Sequence, residues 1–108
     1  VAPDGSIGIA HYNFSSQDLV YTYGSAGNWT SETVTSEGDT GLWPDLKYDP
    51  VTGEPCIAYH NASAFACEFA RKTAGGWVVE VVDGGSGDNG SFASLAFNPD
   101  NNLPAIAY

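Results

Sequence analysis

The sequence predicts an all-β fold built from repeated four-stranded antiparallel units. Three observations carry this: self-similarity at a period of 48 to 49 residues, apolar positions that alternate with period 2, and turn clusters between them. At an offset of 48, Gly5 falls under Gly53, Ile9-Ala10 under Ile57-Ala58, Tyr21 under Phe69, Trp29 under Trp77, Glu32 under Glu80 and Val34 under Val82. Past a Gly-rich loop the offset becomes 49, so that Asp39-x-Gly41 matches Asp88-x-Gly90 and Leu46-x-Tyr48-x-Pro50 matches Leu95-x-Phe97-x-Pro99. A third copy opens at Asn98 and gives Pro104-x-Ile106-Ala107-Tyr108 against Pro55-x-Ile57-Ala58-Tyr59. The chain therefore reads as one repeat domain over 1–108, with units at 1–48 and 49–97 and a partial unit at 98–108.

Taken in order, the alternation places strands near 7–12, 18–23, 29–35, 43–48, 55–60, 65–70, 77–82, 92–97 and 104–108. The links at 13–17, 24–28, 61–64 and 72–76 are short enough for antiparallel hairpins. Those at 36–42 and 84–91 are longer and richer in Gly, as a crossing from one sheet to the next requires. Side chains alternate across a strand, so Ile9, Ile57 and Ile106 share one face. Gly8 and Ala10, Cys56 and Ala58, and Ala105 and Ala107 share the other. One bulky face and one small face suit sheets stacked closely on each other. Trp29 and Trp77 are expected to pack between sheets, and Glu32 and Glu80 to lie on a solvated face.

Composition excludes several classes of partner. Three Lys/Arg stand against thirteen Asp/Glu, for a formal charge of -10. Such a chain repels phosphate backbones and anionic membrane surfaces. No apolar run approaches the roughly 20 residues of a spanning helix. Abundant Gly, Asn, Ser and Thr with few Lys suits an extracellular or periplasmic β protein.

Four antiparallel strands in about 48 residues is the size of a β-propeller blade. The units GNWTSETV…GDTGLWPDLKYDPVTGEPCIAY and GGWVVEVV…GDNGSFASLAFNPDNNLPAIAY resemble the repeats of sialidase-like (BNR-type) propellers, including bacterial lectin-like and uncharacterised secreted ones. The resemblance spans the chain. It implies SLAF-type strands innermost, IAY strands second, YTY/EFA strands third and W-x-x-E strands outermost. Asp39-x-Gly41-x-Trp43 and Asp88-x-Gly90-x-Phe92 are one residue shorter than the Asp-box S-x-D-x-G-x-x-W of that superfamily. A propeller has 4 to 8 blades, so either the chain is a piece of a longer protein or several copies complete a ring; a homo-oligomer is the expectation, with a stand-alone two-sheet sandwich as the alternative.

Few residues carry chemistry. Cys56 and Cys67 flank a hairpin and would face each other if Asn61-Ala62 centred the turn, which leaves a disulfide and two free buried thiols both open. His11 and His60 sit at adjacent, not equivalent, repeat positions with no nucleophile motif beside them. Gly84 to Asn89 approaches the G-G-x-G-x-D calcium repeat in a single imperfect copy; no cofactor is expected, calcium at loop residues such as Asp39, Asp88 or Asp100 being the one considered. The sequons at Asn13, Asn28, Asn61 and Asn89 read as turns. The sialidase reaction of the resembling family uses three Arg, and this chain has only Arg71.

The expected function is therefore a non-enzymatic module that binds a glycan or another ligand, or serves as a scaffold. The candidate ligand residues are Trp43, Asp45, Lys47, Tyr12 and Tyr59. Trp43 leads because it follows a loop and shares a channel-lining strand with Asp45 and Lys47. The other readings are a self-assembling propeller fragment without a ligand, and a segment of a propeller glycosidase or lyase.

Overall fold

In a computed structural model the described residues, 1–84 and 91–108, form an all-β protein of nine strands and no helix. They are β1 (Ile7–Asn13), β2 (Asp18–Ser25), β3 (Asn28–Thr35), β4 (Thr40–Tyr48), β5 (Pro55–Asn61), β6 (Ala66–Thr73), β7 (Gly76–Asp83), β8 (Ser94–Phe97) and β9 (Pro104–Ala107). Every predicted strand is present, and β4 begins three residues earlier than the alternation indicates because Thr40 pairs with Asn61.

The strands form three antiparallel meanders. The first sheet is β1-β2-β3, the central sheet β4-β5-β6-β7, and the third β8-β9. Hydrogen bonding thus divides the chain one strand earlier than the sequence repeat does. The strand that ends the first unit, β4, pairs with β5 of the second unit, Leu46 opposite Ile57 and Tyr48 opposite Pro55. The equivalent strand of the second unit, β8, pairs with β9.

Two cores separate the three sheets. Leu19, Tyr21, Val34, Ile57, Tyr59 and Ala70 are buried between the first and central sheets, with Leu46 and Trp77 packed against them. Cys56, Ala58, Phe69, Ala93 and Leu95 fill the space between the central and third sheets, with Phe97 and Ile106 alongside. β5 is buried on both faces, its Ile57 side toward one neighbour and its Cys56/Ala58 side toward the other, as the bulky-face and small-face alternation requires.

Close approach explains particular residues. A Cβ at Gly8 would lie 1.9 Å from the Tyr48 hydroxyl, which bonds that of Tyr21 at 2.8 Å. At the equivalent place in the next unit stand Cys56, Phe69 and Phe97: the hydroxyls are gone and a side chain fills the room. A Cβ at Gly41, where φ is +95°, would lie 2.5 Å from Leu19 Cβ.

Glu32 is not on a solvated face. Its Oε1 accepts from Trp77 Nε1 at 2.8 Å and from Lys72 Nζ at 2.5 Å, both in the central sheet. Trp77 also meets Tyr21 edge-on at 5.5 Å, as expected of inter-sheet packing. Asn13 and Asn61 act as turn residues: Asn13 Oδ1 accepts from Ser15 N, and Asn61 Oδ1 from Ala64 N, each at 3.0 Å.

Candidate site at the seam of the central and third sheets

Trp43, Asp45 and Lys47 lie on β4 where it faces β8. The backbone at Trp43 is left-handed, φ +48°, beside a register shift between Leu42 and Asp45. Phe92, its equivalent one repeat later, has φ +56°. Positive φ is rare for bulky side chains and costs of order 1–3 kcal/mol. In both repeats that geometry goes with an aromatic ring at the seam, Trp43 within β4 and Phe92 two residues before β8. The two rings come together with centroids 4.7 Å apart, and the His60 ring lies 5.5 Å from Trp43. Trp43 is 41% exposed and Phe92 73%, whereas His60 is 2% exposed. The pair forms an aromatic ledge with a buried imidazole beside it.

Asp45 holds the seam. Its Oδ2 accepts from the backbone N–H of Leu95 in β8 at 2.6 Å, and its Oδ1 accepts from Lys47 Nζ at 2.9 Å. An exposed pair like Lys47–Asp45 contributes at most about 1 kcal/mol, so its value lies in placement. Lys47 then borders an open groove of about 460 Å³ that Tyr48, Pro50, Ala96, Phe97, Pro99 and Asn102 also line. Trp43, the Asp45 carboxylate and the Lys47 ammonium follow one another along β4.

Tyr12 and Tyr59 do not join this site. Tyr12 lies in the first sheet, and its hydroxyl donates to Asp39 Oδ1 at 2.7 Å, a bond that raises the phenol pKa. Tyr59 is fully buried in the core between the first and central sheets. Burial, and then the charge of Glu68, push its pKa far above the ordinary range. Phe92 and His60 complete the site instead. The repeat offset already pairs Phe92 with Trp43; the sequence offers His60 only as a histidine without a motif, and a register shift brings it opposite Leu42 and beside the indole.

The register also corrects the idea of a Cys56–Cys67 disulfide. The turn spans four residues, 62–65, so Cys56 lies opposite Arg71 and Cys67 opposite His60. Both thiols are free and buried. Burial pushes Cys56 up to about 11 and raises Cys67 as well. Asp39 serves the fold: its backbone O accepts from Ala62 N at 2.8 Å, its N donates to Ser63 Oγ at 2.8 Å, and Oδ1 takes the Tyr12 bond. Asp88 and the Gly85–Asn89 part of the calcium-like loop lie outside the described residues. Among the described residues no three His, Cys, Asp or Glu side chains are grouped to hold a metal. Arg71 is committed to Asp49 at 2.6 Å and Glu54 at 3.3 Å.

The chain belongs to the class of all-β proteins built from antiparallel meanders. No family model, curated protein or solved structure matches it.

Proposed function

We propose that the protein is a non-enzymatic β-propeller module whose three sheets are successive blades, and that it binds a glycan at the seam of β4 and β8. The observation that carries the reading is the Trp43–Phe92 ledge: two exposed aromatic rings, held 4.7 Å apart by strained backbone at equivalent positions of two repeats. Strain of this kind marks positions where side-chain direction matters more than local stability. A sugar ring offers a C–H face to an aromatic ring and hydroxyls at its edge. The ledge supplies the first contact; the Asp45 carboxylate and Lys47 ammonium, a few residues along the same strand, supply acceptor and donor for the second. Ligand sites combine apolar lining with a few placed polar groups in this manner.

A hydrolytic role is less well supported by the same residues. The only arginine is tied up in the Asp49 and Glu54 pairs. His60 lies beneath the ledge rather than on it.

The test is a glycan array followed by calorimetry on the best ligand. Trp43→Ala and Phe92→Ala are each expected to weaken binding by roughly tenfold or more, and Lys47→Ala by less. Absence of any glycan ligand, or binding that both aromatic substitutions leave intact, refutes the site. Turnover of a bound glycan refutes the non-enzymatic reading.

A further inference from the structure

We propose that the groove between the first and central sheets binds an alkylammonium group, a primary amine on a short hydrocarbon stem, with the buried Glu68 carboxylate as its counter-ion. The groove lies on the other side of the central sheet from the Trp43–Phe92 ledge, and neither the glycan nor the propeller reading is needed for it.

Glu68 is 7% exposed, on the face of β6 that turns with Ala70 toward the first sheet. The repeat offset of 48 puts it where the first unit has Val20, a buried aliphatic side chain. A carboxylate in such a place is ordinarily paired with a cation. The cations of this chain are all engaged elsewhere. Lys47 is bonded to Asp45, Arg71 to Asp49 and Glu54, and Lys72 to Glu32. His11 is bonded to Thr22 in the first sheet, and His60 lies beside Trp43 on the far side of the central sheet. These five are every Lys, Arg and His in the sequence, so residues 85–90 add none. Glu68 does accept from Asn61 Nδ2, at 3.0 Å. A carboxylate has sites for about three hydrogen bonds more.

The hydroxyls beside it are also unsatisfied. Tyr59 lies opposite Glu68 and Thr40 opposite Asn61, and both are fully buried. Neither Tyr59 Oη nor Thr40 Oγ1 makes a well-formed hydrogen bond among the described residues, although the charge of Glu68 reaches the Tyr59 phenol. Buried hydroxyls left so are costly, and each retains lone pairs to offer a donor. The groove next to them encloses about 410 Å³. Glu37 and Asn61 join Glu68 on its polar side; Trp77, Val79 and Val81, alternate residues of β7, form its apolar side. All of its lining falls between Thr35 and Val81, in the interior of the chain. A primary ammonium brings both the charge and the N–H donors that this cluster lacks, and its stem covers the two valines and the indole. A neutral alcohol leaves the carboxylate uncompensated, and an anion is repelled by both Glu37 and Glu68.

Titration of isotope-labelled protein with n-butylammonium, and with n-butanol as the neutral match, tests this by NMR at the Trp77 indole N–H and the Val79 and Val81 amides. The amine is expected to give saturable shifts and to bind at least roughly tenfold tighter than the alcohol. Glu68→Gln keeps an acceptor for Asn61 and is expected to weaken the amine by roughly tenfold or more. Val81→Lys, at an exposed position directly opposite Glu68, supplies the countercharge from within and is expected to weaken it as much. Shifts that do not saturate, alcohol and amine binding alike, or wild-type amine affinity in a folded Glu68→Gln each overturn the proposal. Should Glu68→Gln lose the sheet signal in circular dichroism, Val81→Lys decides, and wild-type affinity there overturns it. Acetyl-lysine methylamide in the same titration separates two sources of the ammonium: tighter binding than butylammonium assigns the groove to a lysine side chain, weaker binding to a free amine, and the Glu68 site stands in either case.

Discussion

Gly8→Ala tests whether hydroxyl and glycine are one device. Gly8 has an ordinary strand conformation, so by backbone entropy alone alanine would stabilise by about 0.5–1 kcal/mol. Packing reverses the sign. The new Cβ would meet Tyr48 Oη at 1.9 Å and Tyr21 Cε1 and Oη at 3.0 Å. An ordinary contact requires the Tyr48 ring to withdraw by more than 1 Å, which breaks its 2.8 Å bond to Tyr21. Overpacking costs about 1–3 kcal/mol, and a buried hydroxyl left without its partner about 1–3 kcal/mol more. Net of the backbone gain, the variant should lose about 1–5 kcal/mol, a large part of the roughly 5–15 kcal/mol of a typical domain. Urea unfolding followed by tryptophan fluorescence reads this as a lower midpoint at unchanged slope. The second repeat supplies the rescue: Gly8→Cys combined with Tyr21→Phe and Tyr48→Phe copies the Cys56, Phe69, Phe97 arrangement and should return stability to within about 1 kcal/mol of wild type. A neutral Gly8→Ala, or a triple variant no better than the single one, refutes the reasoning.

The buried thiols lead to a second expectation. Cys56 and Cys67 should ignore an aromatic disulfide reagent in the native protein and both react once it is unfolded, because burial disfavours the thiolate; a native mass two hydrogens short of the reduced chain would refute the register. A third concerns acid. The Arg71 guanidinium, joined by the Val51 and Thr52 backbone N–H groups, holds Asp49 below its ordinary pKa. Its stabilisation is therefore present above the unfolded value near 3.9 and lost as pH falls through the folded one. Arg71→Gln should shrink the loss of urea resistance between pH 5 and pH 3, and an undiminished loss refutes the role. Fourth, Asp45→Ala strands the Leu95 N–H and should cost about 1–3 kcal/mol, while Asp45→Asn keeps an acceptor and should cost less than about 1 kcal/mol; equal losses would show that the ion pair to Lys47, not the bond to β8, is what matters.

The strands were legible because alternation and turn chemistry are local. Asn13 and Asn61 announce turns by side-chain bonds two or three residues away, and the residues of β5 announce burial on both faces by having no polar position before His60. Registers were less legible. Whether Cys56 meets Cys67 depends on a four-residue rather than a two-residue turn, and the Phe65 φ of +53° that permits the wider turn has no sequence signature. Contacts between sheets were legible only through the repeat. Glu32 looks like a surface carboxylate until Trp77 and Lys72, more than forty positions on, are placed opposite it. The site shows the same division: Trp43, Asp45 and Lys47 share a strand and could be grouped by eye, but His60 enters through a bulge and Tyr59 leaves for the core one residue earlier on the same strand.

That division explains why the ledge forms where it does. Where a packed residue differs between the units its partner can differ with it, as Gly8 with Tyr48 and Cys56 with Phe97 illustrate. Trp43 and Phe92 meet each other, and Trp43 also meets the buried His60; each stands on strained backbone, and each is aromatic. Packing at the seam leaves Trp43 41% and Phe92 73% exposed, so it accounts for only part of each costly ring. On the proposed reading a glycan covers the remainder, and the seam of β4 and β8 is where local stability is set against recognition.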